Sequence, residues 1–62
     1  MPAEILIIDD NSDIRLILNE LISEAGYKTR LAANYNQALT EIDKKLPDVA
    51  IIDVKLDKGD ND

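Results

Sequence analysis

Two short apolar runs, each stopping at acid, frame this chain. Glu4-Ile5-Leu6-Ile7-Ile8 leads into Asp9-Asp10, and Asp48-Val49-Ala50-Ile51-Ile52 leads into Asp53. Ile5 to Ile8 is unbroken and rich in isoleucine, which predicts a strand covered on both faces. Asn11-Ser12-Asp13 then offers capping side chains, and Asp13 suits the positive end of a helix dipole. Ile14, Ile17, Leu18, Leu21, Ile22 and Ala25 follow at helical spacing as one apolar stripe, with Leu16 off it. Gly26 stops this helix, predicted over residues 12–25.

Tyr27 to Ala32 alternates as a second strand, with Tyr27, Thr29 and Leu31 on one side and Lys28 and Arg30 on the other. The charged side predicts an edge position. Asn34 and Gln37 are spaced as a capping box with Asn in place of Ser or Thr. Tyr35, Ala38, Leu39, Ile42 and Leu46 form a second helical stripe, which Pro47 ends. These stripes and Tyr35 are expected in the core or half buried. Val49 to Asp53 is the third strand. Residues 54–62 read as a loop of Asp, Lys, Asn and Gly.

The order β-α-β-α-β with short connections predicts an α/β fold with a parallel sheet and right-handed crossovers. Strand order 1-2-3 would put both helices on one face. Order 2-1-3 would put them on opposite faces, with the polar-sided second strand at the edge and the apolar first strand in the middle. The second order also gathers Asp9, Asp10 and Asp53 at a switch point, where open α/β sheets bind ligands. A partial doubly wound, flavodoxin-like sheet ordered 2-1-3 is therefore expected. Its third strand is apolar on both faces yet last, and natural proteins avoid such an open edge. That predicts the front part of a larger domain, cut before strands four and five. It also raises the expectation of self-association through the exposed third strand.

Composition narrows the chemistry. The chain has 62 residues, 45% hydrophobic, with two tyrosines as the only aromatics and no cysteine. A chain of this size buries only about 60% of its unfolded surface, so the core is light and aliphatic, with no disulfide to reinforce it. Thirteen acidic residues against seven basic give a net charge of −6. That argues against this segment binding nucleic acid or an anionic membrane, and it suits a metal cation or a basic protein partner. The apolar run is too short to span a bilayer, and the first residues lack a basic signal-peptide region. A cytoplasmic location is expected.

Three carboxylates at one sheet edge repel one another unless a cation sits among them, so Asp9, Asp10 and Asp53 are read as a divalent-metal site. Asp60-Asn61-Asp62 begins like a calcium loop, but that motif needs twelve residues, an inner glycine and a terminal glutamate. An Asp-x-Asp phosphatase is disfavoured because Asp10 follows Asp9 directly. Without His or Cys the usual hydrolase nucleophile pairings are excluded. Arg15 and the Lys55 side chain read as solvated surface charges.

Ile5-Leu6-Ile7-Ile8-Asp9-Asp10, Ile14-Arg15, Gly26-Tyr27, Ala38-Leu39, Pro47-Asp48 and Ile51-Ile52-Asp53 together resemble the receiver domain of two-component response regulators. The resemblance spans residues 1–62, roughly the first half of such a domain. It implies Asp53 as phosphoacceptor for a sensor histidine kinase. It also implies Mg²⁺ bound by Asp10 and Asp53, by Asp9 with water's help, and by the backbone carbonyl of Lys55. The family's Ser or Thr after strand four and Lys after strand five would lie beyond Asp62. The loop departs from the common Leu-Pro-Gly pattern, with Leu56 followed by Asp57-Lys58-Gly59, and in this resembles the NtrX-like branch, whose members control transcription. The resulting expectation is an Mg²⁺-dependent aspartyl phosphoacceptor, not a turnover enzyme. The alternatives are an inactive remnant acting by strand or protein pairing and, less well supported, a small Mg²⁺-dependent phosphatase.

Overall fold

The computed structural model describes residues 2–52. They form β1 (Glu4–Ile8), α1 (Ser12–Glu24), β2 (Lys28–Ala32), α2 (Tyr35–Lys44) and β3 (Val49–Ile52). The sheet is three-stranded and ordered β2-β1-β3, with both pairings parallel. This is the expected 2-1-3 arrangement. The fold is α/β, consistent with part of a flavodoxin-like doubly wound sheet. Among the described residues no helix is long and apolar enough to cross a membrane.

Local chemistry accounts for the element ends. Asn11 caps α1, its Oδ1 accepting from the amides of Asp13 at 2.9 Å and Ile14 at 3.1 Å. At the other end Gly26 takes φ +100°, a region costly for residues with a Cβ. The Gly26 amide then donates to the Ser23 carbonyl and the Tyr27 amide to that of Ile22, closing a Schellman motif. The Asn34 side chain caps α2 by accepting from the Gln37 amide at 2.8 Å. Gln37 returns the contact, but to the amide of Ala33, one residue before the cap itself. Asp48, just before β3, makes a two-way clasp: its amide donates to the Glu4 carbonyl, and its Oδ2 accepts from the Glu4 amide.

Consecutive residues of β2 show that the helices cover opposite faces. Thr29 Oγ1 donates to Asn19 of α1 at 2.5 Å. Arg30, pointing the other way, bonds Glu41 of α2. On the α2 face Leu6, Ile8, Ala32 and Ala38 form the core, with Ile42 packed against them. Ile5 and Ile7 are buried on the α1 face. The central strand is thus covered on both sides, as its unbroken apolar run requires.

Two expectations about burial are corrected. No residue of α1 is fully buried. Its half-buried positions are Arg15, Leu18, Asn19 and Ile22, whereas Ile14, Ile17 and Leu21 are exposed. The inward face of α1 carries Leu18 and Ile22 of the apolar stripe together with Arg15 and Asn19, which bond the Asp9 carbonyl and Thr29. In α2 only Ala38 is buried, and Glu41 and Ile42 are half-buried; Tyr35 and Leu39 are exposed. Leu46 lies past the end of the helix and is exposed. Both helices pack on β1 and β2, and among the described residues neither touches β3.

Candidate functional site at the carboxyl end of the sheet

Chain reversal in the order β2-β1-β3 makes the carboxyl ends of β1 and β3 a topological switch point, the place where open α/β sheets bind ligands. Ile8 stands opposite Ile52 in the parallel register. Asp9 and Asp10 follow Ile8 directly, so the end of the central strand delivers two adjacent carboxylates to this edge.

The two acids sit in different surroundings. Asp9 is only 4% exposed. Its amide donates to the Ala32 carbonyl at 3.1 Å, extending the pairing with β2. Its Oδ1 accepts from the Asn11 amide at 2.9 Å, tightening the turn into α1. Its carbonyl accepts from Arg15 Nη1 at 2.6 Å. Asp10 is exposed at the rim. The amino end of α1 follows both acids directly in the chain. The amides of Asp13 and Ile14 are already taken by Asn11, so they do not offer an anion cradle.

As a donor set, adjacent carboxylates suit a hard cation such as Mg²⁺, which takes oxygen ligands and keeps several waters. Among the described residues no group of three or more His, Cys, Asp or Glu side chains is placed to hold a metal ion. Of the expected site, Asp9 and Asp10 lie among the described residues, adjacent because they are consecutive in the sequence. The other two expected contributors, Asp53 and the Lys55 carbonyl, lie outside the described residues.

Two arginines have roles that their sequence positions did not announce. Arg15 reads as a surface charge, yet it is half-buried and holds the Asp9 carbonyl. A signal was present: Arg15, Leu18 and Ile22 share a helical face at spacings of three and seven, and all are half-buried. Arg30, on the polar side of an edge strand, is only 17% exposed and pairs with Glu4 and Glu41. It also donates to the carbonyls of Glu41 at 2.8 Å and Lys45 at 2.6 Å. This cluster lies toward the amino end of the sheet, away from the acids. The Glu41 carboxyl is held below its usual range, chiefly by the hydrogen bond from Lys44 and then by Arg30, against partial desolvation.

Comparison with known proteins agrees with this geometry. The family described as response regulator receiver domain matches residues 5–60. Sporulation initiation phosphotransferase F of Bacillus subtilis is 45% identical over 56 residues, covering 90% of this chain and 45% of that protein. The transcriptional regulatory protein YxdJ of the same organism is 34% identical over 53 residues, covering 86% of this chain and 23% of that protein. An NtrX-like response regulator of Rickettsia bellii is also similar, at 34% identity over 95% of this chain and 12% of its own length. The chain thus spans less than half the length of these curated relatives. No solved structure matches it at a significant level. With a family match across nearly its whole length and adjacent acids at the end of its central strand, the chain belongs to the response regulator receiver domains of two-component signalling.

Proposed function

We propose that this segment carries the acidic, phosphate-accepting part of a receiver, with Asp53 as the phosphoacceptor, a sensor histidine kinase as donor and the cytoplasm as its location. The observation that carries the reading is the parallel pairing of β1 with β3, Ile8 opposite Ile52. Asp9 and Asp53 are the next residues in the sequence after this pair. Asp9 and Asp10, with Asp53 and the Lys55 carbonyl, would hold Mg²⁺. Bound there, the ion offsets the negative charge that gathers when an anionic nucleophile meets a phosphoryl group.

In this reaction a carboxylate oxygen of Asp53 forms a bond to phosphorus as the phosphorus–nitrogen bond of a phosphohistidine breaks. The histidine leaves as imidazole, and the product is an acyl phosphate. The chain's own part is to hold the acids in place: Asp9 is pinned through its amide, carbonyl and side chain, while Asp10 remains open to solvent. The module accepts phosphate rather than turning over a substrate, and in the parent protein the modification serves to control transcription. The net charge of −6 argues against a nucleic-acid contact by this segment itself.

The test is labelling of the chain with acetyl phosphate, with and without Mg²⁺, read by intact mass. One phosphoryl addition that needs Mg²⁺ and vanishes in Asp53→Asn is expected. Undiminished addition in Asp53→Asn removes the assignment.

One observation favours a second reading. Among the described residues β3 pairs only with β1, and Val49 and Ile52 are exposed. An open apolar edge of this kind templates strand pairing, so the chain would self-associate through β3. Sedimentation that shows a monomer at every concentration removes this reading.

A further inference from the structure

We infer that Arg15 is a positioning residue for the acidic corner: by holding the Asp9 carbonyl it sets the direction in which Asp9 and Asp10 present their carboxylates to a divalent cation. This rests on the metal reading proposed above. Asp9 is 4% exposed, and a main-chain carbonyl buried beside it needs a donor. Arg15 Nη1 supplies that donor at 2.6 Å from six residues along the chain. Because a guanidinium keeps its charge and its donors across the accessible pH range, the contact does not depend on pH.

The geometry closes a ring from strand to turn to helix. The Arg15 amide donates to the Asn11 carbonyl at 3.0 Å, so the side chain reaches back from a base fixed in the first turn of α1. Asn11 is bound on both sides: its amide donates to Asp9 Oδ1, and its own Oδ1 accepts from Asp13 and Ile14. Asp10 therefore stands between two pinned residues, and its exposed carboxylate points where the main chain aims it. Once the Asp9 carbonyl is released, the peptide between Asp9 and Asp10 can rotate and turn the Asp10 side chain.

Charge and geometry make opposite demands here, which makes the inference decidable. A guanidinium near a cation site repels the cation. If Arg15 acted through charge alone, its removal would tighten Mg²⁺ binding. If it acts by positioning, removal weakens binding, and partners that orient metal ligands typically change affinity by about 10- to 100-fold.

The experiment compares wild type, Arg15→Met and Arg15→Lys in the full chain. Mg²⁺ affinity is measured by calorimetry and amide hydrogen exchange in the metal-free state, with circular dichroism as a check on folding. Arg15→Met should bind Mg²⁺ ~10-fold more weakly and exchange faster at Asp10 and Asn11, with Arg15→Lys between it and wild type on both readouts. A folded Arg15→Met that binds as tightly as wild type, or tighter, overturns the assignment. If Arg15→Met does not fold, wild-type affinity together with wild-type exchange in Arg15→Lys overturns it. A wild type that shows no response to Mg²⁺ overturns the metal reading itself and this inference with it, whereas wild-type binding insensitive to Arg15 removes the Arg15 role alone.

Discussion

The guanidinium of Arg30 on β2 holds Glu41 on α2 twice, through the carboxylate at 3.1 Å and through the main-chain carbonyl at 2.8 Å. Its other terminal nitrogen reaches the Lys45 carbonyl, and its Nε lies 3.3 Å from Glu4. One side chain thus ties the first strand, the second strand and the exit of the second helix together. Helix ends leave carbonyls without intrahelical partners, and Arg30 satisfies that of Lys45 at the cap, while the Glu41 carbonyl also accepts from the Lys45 amide. Arg30→Met, which keeps the apolar stem, is expected to cost about 2 kcal/mol by urea denaturation. Arg30→Lys should recover only part of this, because an ammonium cannot reproduce the planar fork. A loss within experimental error would show that the cluster is solvated in practice.

Glu41 carries a pH dependence of definite sign. Its carboxyl is held below the usual range by Lys44 first and Arg30 second. A depressed group favours the folded state when ionised. Its contribution is therefore present above the ordinary glutamate pKa of about 4.3 and fades as pH falls through the lower folded-state value. The difference in urea midpoint between wild type and Glu41→Gln is expected to be largest near neutral pH and to shrink on acidification. A difference independent of pH would remove the ionic explanation.

Burial predicts a contrast between two leucines. Leu6 is 0% exposed in the middle of the sheet, whereas Leu21 on α1 is 61% exposed. Leu6→Ala should cost ~2–5 kcal/mol, enough to threaten folding in a domain this small. Leu21→Ala should change stability by about 0.5 kcal/mol or less. Thermal denaturation of both variants makes the comparison. A large loss at Leu21 would show that the outer flank of α1 is covered in solution.

Asn11 offers a test of the turn that carries the acids. Its Oδ1 satisfies two amides of α1, so Asn11→Ala is expected to cost ~1 kcal/mol. Asn11→Asp keeps the acceptor and should restore that stability. It also adds a third carboxylate beside Asp9 and Asp10. Titration by calorimetry should therefore show Mg²⁺ bound at least as tightly by Asn11→Asp as by wild type; weaker binding would count against a cation at this corner.

Local features carried much of the architecture. The caps at Asn11 and Asn34 and the stop at Gly26 are legible because they depend on residues within a turn of one another. The placement of β2 at the edge followed from Lys28 and Arg30, and that of β1 at the centre from Ile5 to Ile8, since covering both faces of a strand demands apolar residues on both. Asp9 and Asp10 were legible because they mark where the apolar run ends.

What tertiary structure decided is which polar groups turn inward. Arg15 and Arg30 look like solvated charges in the linear pattern, because a period of 3.6 or 2 records which face a residue occupies but not what it meets there. The first meets a buried carbonyl left at the end of β1, and the second meets the carbonyls at the end of α2. Those acceptors exist only after strand and helix have come together. The inward placement of Asn19 and Arg15 on α1 has the same origin, since they bond Thr29 and the Asp9 carbonyl. The chain alone determined where its elements and its first two acids lie. The packed structure determined how tightly Asp9 is held, and by which cation.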